Sequence, residues 1–180
     1  MRIIAGIYRS RVLKRVESDK TRETRDMIKE AIFNHIGPYF SDEVVLDLFC
    51  GSGSLGIEAL SRGAKQCYFN DASKEATNVV NENMRILDIK SSGIVTNQDF
   101  LSFLLATSQV FDIIFLDPPY SLDVTDEIIE VISKRKLLSN HGIIILLTGK
   151  LTLLKDEIFD IIKYKEKTKG ITKISYWKRG

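Results

Sequence analysis

Three closely spaced glycines constrain this chain more than any other feature. The segment Asp47-Leu48-Phe49-Cys50-Gly51-Ser52-Gly53-Ser54-Leu55-Gly56 leaves an apolar run at residues 44–49 and enters a helical pattern at residues 55–62. Gly51, Gly53 and Gly56 match G-x-G-x-x-G in the strand–turn–helix setting that gives the pattern meaning. Glycine lets the backbone turn sharply and come close to a ligand, and the start of the helix supplies N–H groups with no partner in the helix. Asp71, about 20 residues past Gly51 at the end of the next predicted strand, is placed to hold a ribose diol. A nucleoside-bearing cofactor at the carboxyl ends of parallel strands is the expectation.

The pattern around the turn repeats it. Predicted strands at residues 44–49, 66–70, 93–96, 111–116 and 142–147 alternate with helical stretches at 55–62, 73–87, 100–105 and 123–134. Ser73 is set to cap the second of these helices. The isoleucine-rich fifth strand is expected at the centre of the sheet. A short helix is expected at residues 151–154, and residues 158–164 and 171–177 form a terminal hairpin about Lys169-Gly170. Upstream, residues 3–5 are expected to pair with 11–13 as a hairpin, and a helix runs from about residue 27, capped by Thr21 or Thr24, to Gly37-Pro38. The fold class predicted is α/β: a doubly wound, mostly parallel Rossmann-like sheet with an antiparallel C-terminal hairpin. Residues 1–40 form a basic appendage and residues 41–180 the core, one domain overall.

Charge is unevenly spread. The formal net charge is +2, but residues 1–15 carry +5 and residues 163–180 carry +6, so the stretch between them carries −9. Basic ends around an acidic body suggest a polyanionic partner. The arginines at the N-terminus, Arg9, Arg11, Arg22 and Arg25, are the expected nucleic-acid contacts, whereas the C-terminal lysines read as a solvated face. Cys50 and Cys67 lack metal-ligand spacing and read as buried apolar residues. No apolar run approaches the length of a membrane span and the first residues are no signal peptide, so a cytoplasmic protein is expected.

A second motif, Asp117-Pro118-Pro119-Tyr120, closes the fourth strand. Two consecutive prolines stop strand and helix alike and fix the chain rigidly. Asp117 and the nearby carbonyls can accept hydrogen bonds from an exocyclic amine, and Tyr120 can stack on the ring bearing it. NAD would fit the glycines and Asp71 but leaves the acid at Asp47 without a task. S-adenosylmethionine carries an α-amino group that Asp47 can receive, and Asp99 beside Phe100 can take the adenine amine. Phe49, Ser52 and the glycines complete the expected cofactor site.

Taken together, residues 47–56, Asp71, Asp99 and residues 117–120 resemble the class I S-adenosylmethionine-dependent amino methyltransferases that carry an (N/D)PP(Y/F/W) motif. Met1-Arg2-Ile3-Ile4-Ala5-Gly6 and Glu30-Ala31-Ile32-Phe33-Asn34 narrow the resemblance to the RsmD family, which methylates N2 of a guanine in bacterial small-subunit (16S) ribosomal RNA. The likeness runs nearly end to end. It departs where Arg22-Glu23-Thr24 replaces an Arg-Pro-Thr-like segment, where Leu147-Thr148-Gly149 replaces a Val-Glu-His-like one, and where Lys169-Gly170-Ile171-Thr172 replaces Tyr-Gly-x-Thr. What the resemblance implies is S-adenosylmethionine as cofactor, small-subunit rRNA in an assembling subunit as partner, and Asp117, Pro118, Pro119 and Tyr120 as the catalytic corner. The rival readings are a DNA adenine-N6 or protein glutamine methyltransferase, an NAD-dependent oxidoreductase and a non-catalytic RNA-binding protein.

Overall fold

The computed structural model describes residues 1–16, 22–119 and 122–180, with residues 22–25 as backbone only. Eight strands form one sheet in the order β3-β2-β1-β4-β5-β8-β7-β6. The first five, β1 (Val44–Asp47), β2 (Gln66–Asn70), β3 (Gly93–Thr96), β4 (Phe111–Leu116) and β5 (Leu138–Gly149), run parallel. β6 (Glu157–Ile158), β7 (Ile161–Lys169) and β8 (Thr172–Arg179) add an antiparallel side. β5 and its neighbour β4 occupy the middle, as the isoleucine run implied.

Alternation along the strands decides which helix covers which face. Val45, Ile113, Phe115, Ile145 and Tyr176 point to a cluster shared with α1 (Arg22–Ile36), α2 (Ser54–Ser61) and α3 (Lys74–Leu87). Leu46, Ile114, Leu116, Ile144 and Trp177 point to the opposite cluster, shared with α4 (Phe100–Ala106) and α5 (Thr125–Lys134). A central strand buried on both faces must be apolar at every position, which is why residues 143–147 show no polar alternation. α3 begins where its cap directs it: the Ser73 hydroxyl accepts the Ala76 N–H at 3.3 Å.

Residues 1–40 do not stand apart from the sheet. Ile3, Leu13, Ile28, Ile32 and Phe33 are buried in the same cluster as β1 and β4. The N-terminal hairpin forms over a shorter stretch than expected: the Ile3 N–H donates to the Arg11 carbonyl at 3.0 Å and the Leu13 N–H to the Met1 carbonyl at 2.9 Å. Arg2 bridges Val12, while the Ile4 and Ala5 N–H groups donate to the Glu58 carboxylate at 2.9 and 3.0 Å. A buried acid on α2 thus holds the two residues that follow Ile3.

Boundaries shift elsewhere too, and β5 begins at Leu138 rather than residue 142. β1 ends at Asp47 rather than residue 49, because the glycine turn begins there. Residues 151–154 are not helical. Thr152 N–H closes a turn on the Gly149 carbonyl, Lys173 Nζ holds the Thr152 carbonyl at 2.6 Å, and Leu151 and Leu153 face outward. A four-residue helix has almost no hydrogen bonds to offset its nucleation, so one turn and one lysine suffice to override it. Among the described residues, no helix is long and apolar enough to cross a membrane.

Candidate active site

Strand register assembles the site. Asp47 lies level with Phe69 of β2 and with Phe115 of β4, so Asp71 and Asp117 each stand two residues beyond it at one edge of the sheet. Asp99 joins them just past β3. All four acids line one cleft of about 840 Å³, which also takes in Phe49, Gly51, Ser52, Phe100, Pro118 and Pro119. The predicted cofactor residues and the Asp117 corner are therefore brought together. Gly53 lies buried under this turn, at a left-handed φ of 77°. Tyr120 lies outside the described residues.

Each acid is held differently. Asp47 is buried, and its Oδ2 accepts the Gly56 N–H at 2.9 Å. Burial pushes its carboxyl up to about 7; the Gly56 hydrogen bond opposes the rise, and the charges of Asp117 and Asp71 add to it. Asp71 clamps the turn: Oδ2 accepts the Gly51 N–H and Oδ1 the Ser73 N–H, both at 2.9 Å. Each oxygen retains a lone pair, so the clamp can also accept from a hydroxyl. Asp99 caps α4 by accepting the Ser102 N–H, and its hydrogen bonds to Ser102 hold its carboxyl below the ordinary value. Behind it, the Phe49 and Phe100 rings lie 5.7 Å apart, centroid to centroid.

The glycines divide their work. A Cβ on Gly56 would lie 2.3 Å from the Phe69 ring, so this glycine lets α2 settle on β2. A Cβ on Gly51 would meet nothing within 4 Å, so that backbone faces open cleft. Cys50 also lines the cleft, but burial pushes its thiol far up, and Cys67 is likewise buried and free. Neither is a nucleophile.

Several residues at the site were not expected from sequence. Asn83, buried on the apolar face of α3, donates to the Ser52 carbonyl at 3.0 Å and exchanges hydrogen bonds with the main chain of Lys14. It ties the glycine turn to the N-terminal segment. Lys29 reaches the cleft from α1, donating to the Arg2 carbonyl at 2.7 Å and to Glu58 at 3.1 Å. Burial pulls this lysine down and Glu58 draws it back up. Glu58 also receives Arg62 Nε at 2.9 Å, so one buried carboxylate serves two cations and two backbone donors. The signal was a lone acid inside Ser54–Ser61, an otherwise apolar helix. Leu147, Ile171 and Thr172 close the far wall. Arg9 and Arg11 are exposed on the N-terminal turn and do not line the cleft, while Arg22 and Arg25 occupy the start of α1.

Residues 1–178 match the family model described as "Conserved hypothetical protein 95". The ribosomal RNA small subunit methyltransferase D of Haemophilus influenzae is 38% identical over 98% of this chain and 91% of its own length. The chain belongs to the RsmD family. The protein of the same name from Escherichia coli is 32% identical over 80% of this chain and 72% of its own. Among solved structures, "Putative methyltransferase yhhF from Escherichia coli" superposes with a TM-score of 0.85 at 28% identity, covering 99% of this chain and 97% of that one.

The RsmD cofactor is S-adenosylmethionine, and the cleft fits it. Acids from four strand ends suit a ligand bearing an ammonium and a sulfonium and would repel a pyrophosphate. The Ser54 hydroxyl, in the first turn of α2, is buried at the cleft and has no hydrogen-bond partner among the described residues. It and the neighbouring N–H groups offer donors to a carboxylate. Asp71 has the acceptors that a ribose diol would need, and Asp99 beside the Phe49–Phe100 pair those that an adenine amine would need.

Proposed function

We propose that the protein transfers a methyl group from S-adenosylmethionine to the exocyclic N2 amine of a guanine in small-subunit ribosomal RNA. The observation that carries this reading is the Asp117-Pro118-Pro119 corner, which opens on the same cleft as Asp47 and the glycine turn. The name of the H. influenzae relative, similar over nearly its whole length, supports ribosomal RNA as the substrate class.

The chemistry follows from donors and acceptors. An exocyclic amine offers two N–H donors, and a corner with two prolines presents acceptors in place of backbone N–H groups. Asp117 accepts one amine hydrogen and a neighbouring carbonyl the other, which fixes where the nitrogen lone pair points. The bound cofactor supplies an electrophilic methyl on a positively charged sulfur. Holding the amine in line is then the main task of the protein, and orientation of this kind supplies a large part of the barrier reduction. Positive charge passes to the amine during transfer, and the carboxylate of Asp117 stabilises it there. The proton the amine then sheds goes to Asp117 or to water. Tyr120 stacks on the guanine after it leaves its helix. Arg9, Arg11, Arg22 and Arg25 bind phosphates, which fixes position and carries no sequence information.

The test is transfer of labelled methyl to unmodified small subunits, protein-free small-subunit rRNA and duplex DNA, followed by digestion to nucleosides. Label in N2-methylguanosine is expected. Label in methyladenine, or only in DNA, overturns the guanine assignment, and label in a subunit protein moves the acceptor to a polypeptide.

A further inference from the structure

The C-terminal lysines, which read in sequence as a solvated face, are sorted by the structure. β6 pairs with only Ile161 and Ile162 of β7, so among the described residues no strand covers the outer side of β7 beyond them. A register shift between Lys163 and Lys165 then changes which face the lysines occupy. Lys163 lies opposite Trp177, whereas Lys165, Lys167 and Lys169 lie opposite Tyr176, Ile174 and Thr172. Tyr176 and Ile174 belong to the cluster that α1 covers, so these three lysines stand on the α1 face.

The acids stand on the other face. Glu166 meets Lys163 and Lys173 there, each at 3.3 Å, and Asp156 meets Lys163 at 3.0 Å. Among the described residues no carboxylate pairs with Lys165, Lys167 or Lys169. Lys165 instead donates to His35 Nδ1 at 3.0 Å, which leaves Nε2–H to donate to the Tyr164 hydroxyl at 3.2 Å. A histidine accepting from a lysine is neutral and adds no counter-charge. Edge lysines often serve only to keep strands from aggregating. This row has a direction that such a role does not require. Its members are two residues apart, about 7 Å each step. It climbs to Lys169, opposite Thr172, and Thr172 and Ile171 form a wall of the cleft. Beside it, α1 runs from the cleft, where Ile28 and Lys29 line the wall, to His35 next to Lys165.

We propose that Lys165, Lys167 and Lys169 form a phosphate-binding track that guides an RNA strand along the α1 face of β7 to the lip of the cleft at Ile171. The track rests on the RNA reading above and adds a binding surface distinct from Arg9 and Arg11. RNA fits it better than an acidic protein, because the row is evenly spaced and ends at the cleft that a base must enter.

The test measures binding of a small-subunit rRNA fragment as a function of salt for the wild type, for Lys167→Gln/Lys169→Gln, and for Lys65→Gln/Lys90→Gln. The last pair lies at the opposite edge of the sheet, ahead of β2 and β3, and removes the same net charge. Each phosphate left without its lysine lowers the slope of log affinity against log salt by about 0.7, so the slope of the β7 pair falls by about 1.4, or roughly 20-fold in affinity at about 0.1 M salt. Cofactor affinity and melting temperature stay as in the wild type. An unchanged slope in the β7 pair, with wild-type methylation of rRNA intact, overturns the track and leaves the RNA reading standing. Equal weakening in both pairs also overturns it, as an effect of net charge alone. A wild type that neither binds nor methylates rRNA removes the RNA reading and the track with it. Loss of binding to polyglutamate with rRNA binding unchanged reassigns the row to a protein partner.

Discussion

At the scale of single residues, Asp47 and Asp117 share a cleft but carry separable duties. Asp47 is raised to about 7 by burial, so below that pH the folded protein keeps it protonated. A cationic ligand needs it ionised, and cofactor affinity is therefore expected to fall as pH drops below about 7 and to level off above it. Calorimetric titration in buffers of different ionisation enthalpy should show proton release on binding near neutral pH, and Asp47→Asn should abolish both the release and the pH dependence. The effect on folding has the opposite sense. With the folded value above the ordinary 3.8, the stability Asp47 contributes is fullest below that pH and is lost as pH rises through about 7. Asp117→Ala, in contrast, is expected to lower kcat by at least about 100-fold while cofactor affinity changes little, since it removes an acceptor from the reacting amine. Comparable loss of cofactor affinity in that variant would refute the division of labour.

At the scale of elements, most of the frame was legible in the chain. β2, β3 and β4 sit where short apolar runs between turn residues put them, and α3 starts at its serine cap. A strand or a cap is a local property, written in neighbouring residues. The four acids were legible too, because each ends a strand or follows one within three residues and parallel register does the rest. What sequence did not show was long-range pairing. Glu58 meets Lys29 and the main chain of Ile4 and Ala5 across 29, 54 and 53 residues, and no local pattern marks such partners. That buried trio yields a strong expectation. Glu58→Ala leaves Lys29 and Arg62 without their carboxylate inside the protein and should cost about 3–5 kcal/mol in urea unfolding. Glu58→Gln, which retains one acceptor oxygen, should cost less. Gly56→Ala tests a different joint: its methyl group would strike the Phe69 ring, so α2 must lift from β2 and the melting temperature must fall.

For the whole molecule, the notable fact is that one hydrophobic cluster crosses residue 40. Ile3, Leu13, Ile32 and Phe33 pack on the same face of the sheet as α2 and α3. Segments sharing a core unfold together, so calorimetric and van't Hoff enthalpies should agree and a single transition should describe the chain. Two separated transitions would mean that the N-terminal segment melts by itself. A chain beginning at residue 41 would expose that face and is expected to lose cooperative unfolding altogether, even though every acid of the cleft is still present.

The only tryptophan, Trp177, is fully buried in the α4–α5 cluster, and its indole N–H donates to the Ser175 hydroxyl at 2.9 Å. Thr172, where β8 borders the cleft, is five residues away, about 17 Å along an extended strand. The lone indole chromophore is therefore optically insulated from the cofactor and from RNA while remaining inside the unit that melts. Its emission should stay blue-shifted and unquenched through a ligand titration and move to the red only on denaturation, so one fluorimeter trace separates an inactive folded variant from an unfolded one.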